Sequence, residues 1–320
     1  MNELIKKISL LGIVPVIKLN DVEKAVPLAK SLCEGGLPIA EITFRTDAAE
    51  ESIRRMAREY PDMLIGAGTV LTTEQVDLAI AAGAKFIVSP GFNPKVVDYC
   101  IKKGILIIPG TSCPSDMEAA LERGLEVVKF FPAEQAGGVN YLKAISAPYS
   151  KLMFMPTGGI NEKNLNSYLS LPNVVACGGS WMAKEDLIEA DDFLAITALV
   201  KEAIRNLLSY EVFHVGINCD NEKEAVDTAK QFAHLFGFPY LENPGSIFLG
   251  TGIEVLKSRR VGANGHLAIR TNSVERAIAY SKARGIEFDE ESKAYDANGR
   301  VRLIFFAKEI GGFGIHLLQK

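Results

Sequence analysis

Paired cysteines, a basic bias and long apolar runs are all missing from this sequence. Its five cysteines, Cys33, Cys100, Cys113, Cys177 and Cys219, are scattered and odd in number, and none forms a C-x-x-C pair. That excludes a disulfide framework and a zinc ribbon, and it fits a reducing compartment. Lys and Arg total 35 against 39 Asp and Glu, a formal charge of -4 over 320 residues. The stretch from Ser209 onward holds 14 basic and 14 acidic residues, so neither half offers the electrostatic footprint of a nucleic-acid binder. No apolar run approaches the about 18 residues of a membrane span. Lys6-Lys7 before an apolar stretch imitates a secretory signal, but no small-residue cleavage site follows, and 12–17 reads better as a first strand. A cytoplasmic protein without nucleic-acid or membrane partners is expected.

What is present is core material, with 48% hydrophobic residues in a chain long enough for two domains. Eight short apolar runs, at 13–18, 39–44, 64–69, 86–89, 105–109, 127–131, 152–157 and 174–177, alternate with amphipathic stretches. Asp21, Thr72-Thr73 and Asn93-Pro94 open helices, while Gly83, Gly104 and Gly124 close them. Eight βα repeats predict a parallel sheet, and eight is the number that closes into a (β/α)8 TIM barrel. After a final helix at 193–208 the pattern changes. Phe213-His214-Val215-Gly216-Ile217 and Gly265-His266-Leu267-Ala268-Ile269 each precede a helical stretch. The two modules also end alike, at Gly252-Ile253-Glu254-Val255-Leu256 and Gly314-Ile315-His316-Leu317-Leu318. Such a duplication predicts an α+β domain and divides the chain into 1–208 and 209–320.

Alternation along a strand puts Glu41, Thr43 and Arg45 on one face. Polar groups there are costly unless pairing or function compensates. They form either a structural Glu–Arg pair or part of a site at the strand's C-terminal end, where barrel enzymes build theirs. Lys129 stands in the apolar run Val127-Val128-Lys129-Phe130-Phe131. Desolvation there lowers a lysine pKa and frees a nucleophilic amine, although a lysine can also snorkel from a strand end. Lys18 and Lys85 are weaker rivals by position. Pro156-Thr157-Gly158-Gly159-Ile160-Asn161 and Cys177-Gly178-Gly179-Ser180 follow runs seven and eight, the usual phosphate seat of a barrel. Gly66-Ala67-Gly68-Thr69 and Ser89-Pro90-Gly91 end runs three and four.

Together these segments, over about residues 1–208, resemble 2-keto-3-deoxy-6-phosphogluconate (KDPG) aldolase, whose activity often extends to 4-hydroxy-2-oxoglutarate. The resemblance implies a class I aldolase that needs no metal or other cofactor, is usually a homotrimer, and acts on a phosphorylated 2-keto acid. It implies a Schiff base on Lys129 and a general acid/base at Glu41. Arg45 and Thr69 would hold the pyruvate carboxylate, with Pro90 and Phe131 walling the site. Thr157 would meet the hydroxyls, and Gly158, Gly159, Gly179 and Ser180 the phosphate. A phosphate-binding epimerase or synthase, with Lys129 as an electrostatic clamp, is the alternative.

The chain has 4 histidines. His214, His266 and His316 fall at matching places of the duplication, and Glu254 fills the fourth; His234, on a helix outside the repeat, reads as structural. Three imidazoles and a carboxylate suit a divalent metal. The duplicated βαβββ pattern with these positions resembles the vicinal-oxygen-chelate superfamily, which includes glyoxalases and extradiol dioxygenases. His316 departs from glyoxalase-like members, which usually carry a carboxylate there. A binding module without activity is the alternative.

Overall fold

In the computed structural model, which describes residues 2–320, the short apolar runs pair as a parallel sheet. β1 (Ile13–Ile17), β2 (Ile39–Thr43), β3 (Leu64–Gly68), β4 (Phe86–Val88) and β5 (Leu106–Ile108) are successive neighbours. β6 (Gly110–Thr111), β7 (Val127–Phe130) and β8 (Met153–Pro156) form a second parallel ladder, and β9 (Cys177–Gly179) pairs with β1. Pro109 alone separates β5 from β6. A proline has no N–H to give a ladder, yet its carbonyl accepts from the Lys129 N–H at 2.8 Å. Bridges from Phe154 to Val174 and from Thr157 to Gly178 tie β8 and the residue after it to the approach and the middle of β9. The parallel sheet therefore curls, with helices between its strands.

One local feature differs from the sequence expectation, and it has a steric cause. The last strand is Cys177–Gly179, not 174–177, so the glycine pair lies inside it. A Cβ on Gly178 would stand 2.4 Å from the Thr157 hydroxyl, and one on Gly179 would stand 2.0 Å from the Trp181 ring. Bare backbone is what lets these neighbours close in. The segment that imitates a signal is the helix Glu3–Leu11, capped by the Asn2 side chain and packed through the buried Ile5 and Ile8.

Contacts divide the chain into two units, Met1–Leu207 and Leu208–Lys320. The second contains β10 (Glu211–Asn218), β11 (Tyr240–Glu242), β12 (Ser246–Leu249), β13 (Ile253–Leu256), β14 (Gly265–Thr271), β15 (Phe288–Tyr295), β16 (Val301–Phe306) and β17 (Phe313–Gln319). They form one sheet in the order β11-β12-β13-β10-β14-β17-β16-β15. Each half is a βαβββ module whose first strand pairs parallel with its last, and the halves meet where β10 runs antiparallel to β14. Ala225 and Ala229 of the helix Glu222–Phe236 pack on Ile247, Leu249 and Val255. Alternation then turns Phe248 and Glu254 to the opposite face.

Gly66 on β3 gives its space to an aromatic ring, since a Cβ there would lie 2.2 Å from Phe86 Cε2. Gly66→Ala should cost about 1–3 kcal/mol through overpacking, read by denaturant unfolding of Trp181 fluorescence. Gly91→Ala, with nothing within 4 Å, should be close to neutral. Equal losses in both would dismiss the packing explanation.

Candidate functional sites

Lys129 and Glu41 face each other inside the first unit. Glu41 comes from β2 and is 0% exposed; Lys129 comes from β7 and is 5% exposed. The Lys129 Nζ donates to Glu41 Oε1 at 3.1 Å, while Glu41 Oε2 is buried without a hydrogen-bond partner. Gly68 makes this possible, because a Cβ there would meet Glu41 Oε1 at 2.3 Å. Nothing in the sequence marks that glycine as the seat of a carboxylate two strand positions away. The ammonium also lies 5.3 Å from the centre of the half-buried Phe131 ring. Of the rival lysines, Lys18 is paired with Glu185 at 2.7 Å and Lys85 is exposed. Neither is buried as Lys129 is.

The remaining candidates line the C-terminal ends of the strands. Arg45 does not continue β2, which stops at Thr43; it lies in the following turn, exposed, and its Nε donates to Thr43 Oγ1 at 3.2 Å. Thr43 in turn donates to the Ile17 carbonyl at 3.0 Å, so the arginine is braced against the strand end while its fork stays at the surface. Thr69 follows β3 with φ +57, a left-handed conformation that costs a β-branched residue energy. Pro90 is half-buried after β4, and its carbonyl occupies the space a Gly110 side chain would need. Gly110 is in turn the register partner of Lys129. Thr157 is buried, Gly158 and Gly159 both have positive φ, and Gly179 is buried beside the exposed Ser180. Sequence reading passed over Asn20 and Glu185, whose hydrogen bond at 3.1 Å joins the Lys18 pair at the same end of β1.

The second unit brings its four matched residues onto one face. His214 Nε2 and His266 Nε2 are 3.0 Å apart, and Glu254 Oε2 lies 3.3 and 3.2 Å from them. His316 completes a group whose ligand atoms all lie within 4.8 Å of one another with those of His214 and His266. All three histidines are buried. His214 sits within β10, not at its start, and Phe248 and Phe305 pack on His214 and His316. Burial opposes the charge of Glu254, but hydrogen bonds from His214, His266 and Ser246 outweigh it and hold the carboxyl well below the usual carboxylate range. Burial drives His316 down to about 3, aided by charge on His266 and His214 and opposed by Glu254. His234 lies in the last turn of the helix Glu222–Phe236, outside this cluster.

Comparison with known proteins decides the family of the first unit. A model of the family "Aldolase: KDPG and KHG aldolase" matches residues 4–199. The chain belongs to this aldolase family. It is 50% identical over 202 residues to the 2-dehydro-3-deoxy-phosphogluconate aldolase of Haemophilus influenzae, covering 63% of this chain and 95% of that protein. It is 43% identical over 192 residues to the KHG/KDPG aldolase of Escherichia coli K12, covering 60% and 90%. A solved KDPG aldolase from Legionella pneumophila, with pyruvate captured at low pH as a covalent carbinolamine intermediate, is 40% identical with a TM-score of 0.61, covering 63% and 98%. The family match ends before the second unit. Among the described residues, no helix is long and apolar enough to cross a membrane.

The His316 shift in this aldolase-family chain has a measurable consequence. An imidazole held below its unfolded value of about 6.5 contributes stability above that pH and loses it as the pH falls toward 3. Chelator-treated His316→Gln should therefore lose less stability than the wild type between pH 7 and pH 5. Parallel pH profiles in denaturant unfolding would show that His316 is not held neutral by the fold.

Proposed function

We propose that the first unit is a class I aldolase that cleaves KDPG to pyruvate and glyceraldehyde 3-phosphate, and 4-hydroxy-2-oxoglutarate to pyruvate and glyoxylate. The observation that carries this reading is the 3.1 Å contact between Lys129 and Glu41 in a buried setting. A proton passed across that contact leaves the lysine a free amine, which attacks the C2 carbonyl; Glu41 then gives the proton to the carbinolamine hydroxyl, which leaves as water, so that an iminium forms and the carboxylate is again a base. Glu41 then takes the proton of the C4 hydroxyl. The C3–C4 bond breaks, the aldehyde leaves, and the electron pair moves into the iminium to give an enamine. Glu41 returns its proton to C3, and water releases pyruvate from the lysine. One carboxylate serves both steps because its second oxygen is held by no other group.

The rim supplies binding in this reading. Arg45 offers a bidentate fork to the pyruvate carboxylate, with Thr69 beside it and Phe131 and Pro90 as apolar walls. Thr157 meets the hydroxyls, while the backbone of Gly158, Gly159 and Gly179 and the Ser180 hydroxyl take the phosphate. An eight-stranded barrel over 1–208 and a homotrimer belong to the same proposal.

For residues 209–320 we propose a vicinal-oxygen-chelate type domain that holds a divalent metal with His214, Glu254, His266 and His316. The donor set fits such an ion. Three atoms of His214, His266 and Glu254 converge at 3.0 to 3.3 Å. Two Nε2–H groups pointing at the carboxylate would oppose each other, whereas lone pairs from all three can share one cation at about 2.0–2.2 Å. The bound ion would supply a Lewis acid. With His316 where glyoxalase-like members usually carry a carboxylate, no second carboxylate is at hand as a base.

Borohydride reduction with pyruvate, followed by peptide mass mapping, should place a pyruvate-derived adduct on Lys129 and none in Lys129→Ala. An unlabelled, folded wild type would point to an epimerase or synthase in which Lys129 is only a charge. Glu41→Gln should still be trapped by borohydride while turnover falls by roughly 10²–10⁴-fold. Wild-type turnover in that variant would remove Glu41 from the proton transfers.

A further inference from the structure

Arg270 lies four residues beyond His266 on β14, so both side chains leave the same face of the sheet. Its guanidinium carbon is 3.2 Å from the centre of the Phe213 ring, and that ring stands 5.1 Å from the His214 imidazole. One aromatic ring thus joins the arginine to the histidine cluster. The cross-strand neighbour of Arg270 is Glu211, which pairs instead with Lys320 at 3.3 Å. Arg270 Nε is buried and has no hydrogen-bond partner. Among the described residues, no carboxylate forms an ion pair with this guanidinium. Stacking on an aromatic face offsets only part of the cost of desolvating such a group. A planar fork left unused above a ring is well made for a ligand carboxylate.

Charge narrows the ligand further. A divalent ion among three neutral imidazoles and one carboxylate keeps a net positive charge, and Arg270 adds a second fixed one on the same face. Between His266 and Arg270 on this face of β14 lies Ala268, and beside Arg270 stands its register partner Leu318; neither brings a competing donor. Two positive centres separated by apolar surface suit a small acid that is negative at both ends. We propose that the second unit binds a small dicarboxylic acid, one end at the histidine–glutamate cluster and the other carboxylate on Arg270 over Phe213. The inference rests on the metal reading above.

The test uses the full-length chain loaded with Co2+ and titrated with malate or lactate, which share a 2-hydroxy acid end and differ in the second carboxylate. Visible absorption of the cobalt senses only ligands that reach the ion, so binding at the aldolase site is silent. Malate should bind about tenfold or more tightly than lactate. Arg270→Gln should abolish that preference while cobalt stoichiometry and lactate affinity stay as in the wild type, and Arg270→Lys should restore part of it. Unchanged malate preference in Arg270→Gln, or none in the wild type, with cobalt bound, overturns this inference alone. Cobalt taken up equally by the wild type and the His214→Ala/His266→Ala double variant overturns the metal reading itself.

Discussion

The contact between Lys129 and Glu41 is the constraint around which the first unit is built. Burying an ion pair costs several kcal/mol per charge, and mutual attraction returns this only with good geometry and further hydrogen bonds. Here one carboxylate oxygen has a single partner and the other has none. An apolar pair of similar volume would stabilise a parallel sheet at least as well. The neighbouring strands nonetheless accommodate the pair. Gly68 clears a seat for the carboxylate, since a Cβ there would lie 2.3 Å from Glu41 Oε1. β3 thus gives up side-chain packing so that two long polar chains can meet.

Symmetry does in the second unit what cleared space does in the first. β10 and β14 cross antiparallel at the centre, and each is flanked by the last strand of its own module. Equivalent positions of the two modules therefore converge, which brings His214 against His266 and sets Glu254 and His316 on either side. The register also opposes His266 to Gly216 and His214 to Ala268. A Cβ on Gly216 would lie 2.0 Å from the His266 ring. Small residues at matched places make room for the imidazoles.

Much of this arrangement was legible in the sequence because period and position carry it. Eight apolar runs at regular spacing, a lysine inside one of them and the duplicated modules all follow from alternation and repetition. What stayed hidden depends on contacts between distant segments. Gly178 and Gly179 read as a loop, yet they close a strand because Thr157 and Trp181 fill their side-chain space. Arg45 read as a strand residue, yet the chain turns after Thr43 and braces the arginine there. Arg270 carried no signal at all, since its setting depends on Glu211 pairing with Lys320 and leaving the guanidinium over a ring.

Buried polar atoms without partners draw these places together. Among the described residues there are five: Glu41 Oε2, Ser52 Oγ, His214 Nδ1, Arg270 Nε and His316 Nδ1. Native folds leave few such groups, so each calls for a reason. Ser52 is a neutral hydroxyl inside the helix Ala49–Glu59; the structure gives no physical account of its isolation, but such a hydroxyl costs only about 1–3 kcal/mol. The other four belong to ionisable side chains, for which the cost is higher. One lies beside the lysine of the first unit, and three border the histidine face of the second. Among the described residues, the most expensive orphans therefore fall within the two polar clusters and on the arginine stacked beside one of them.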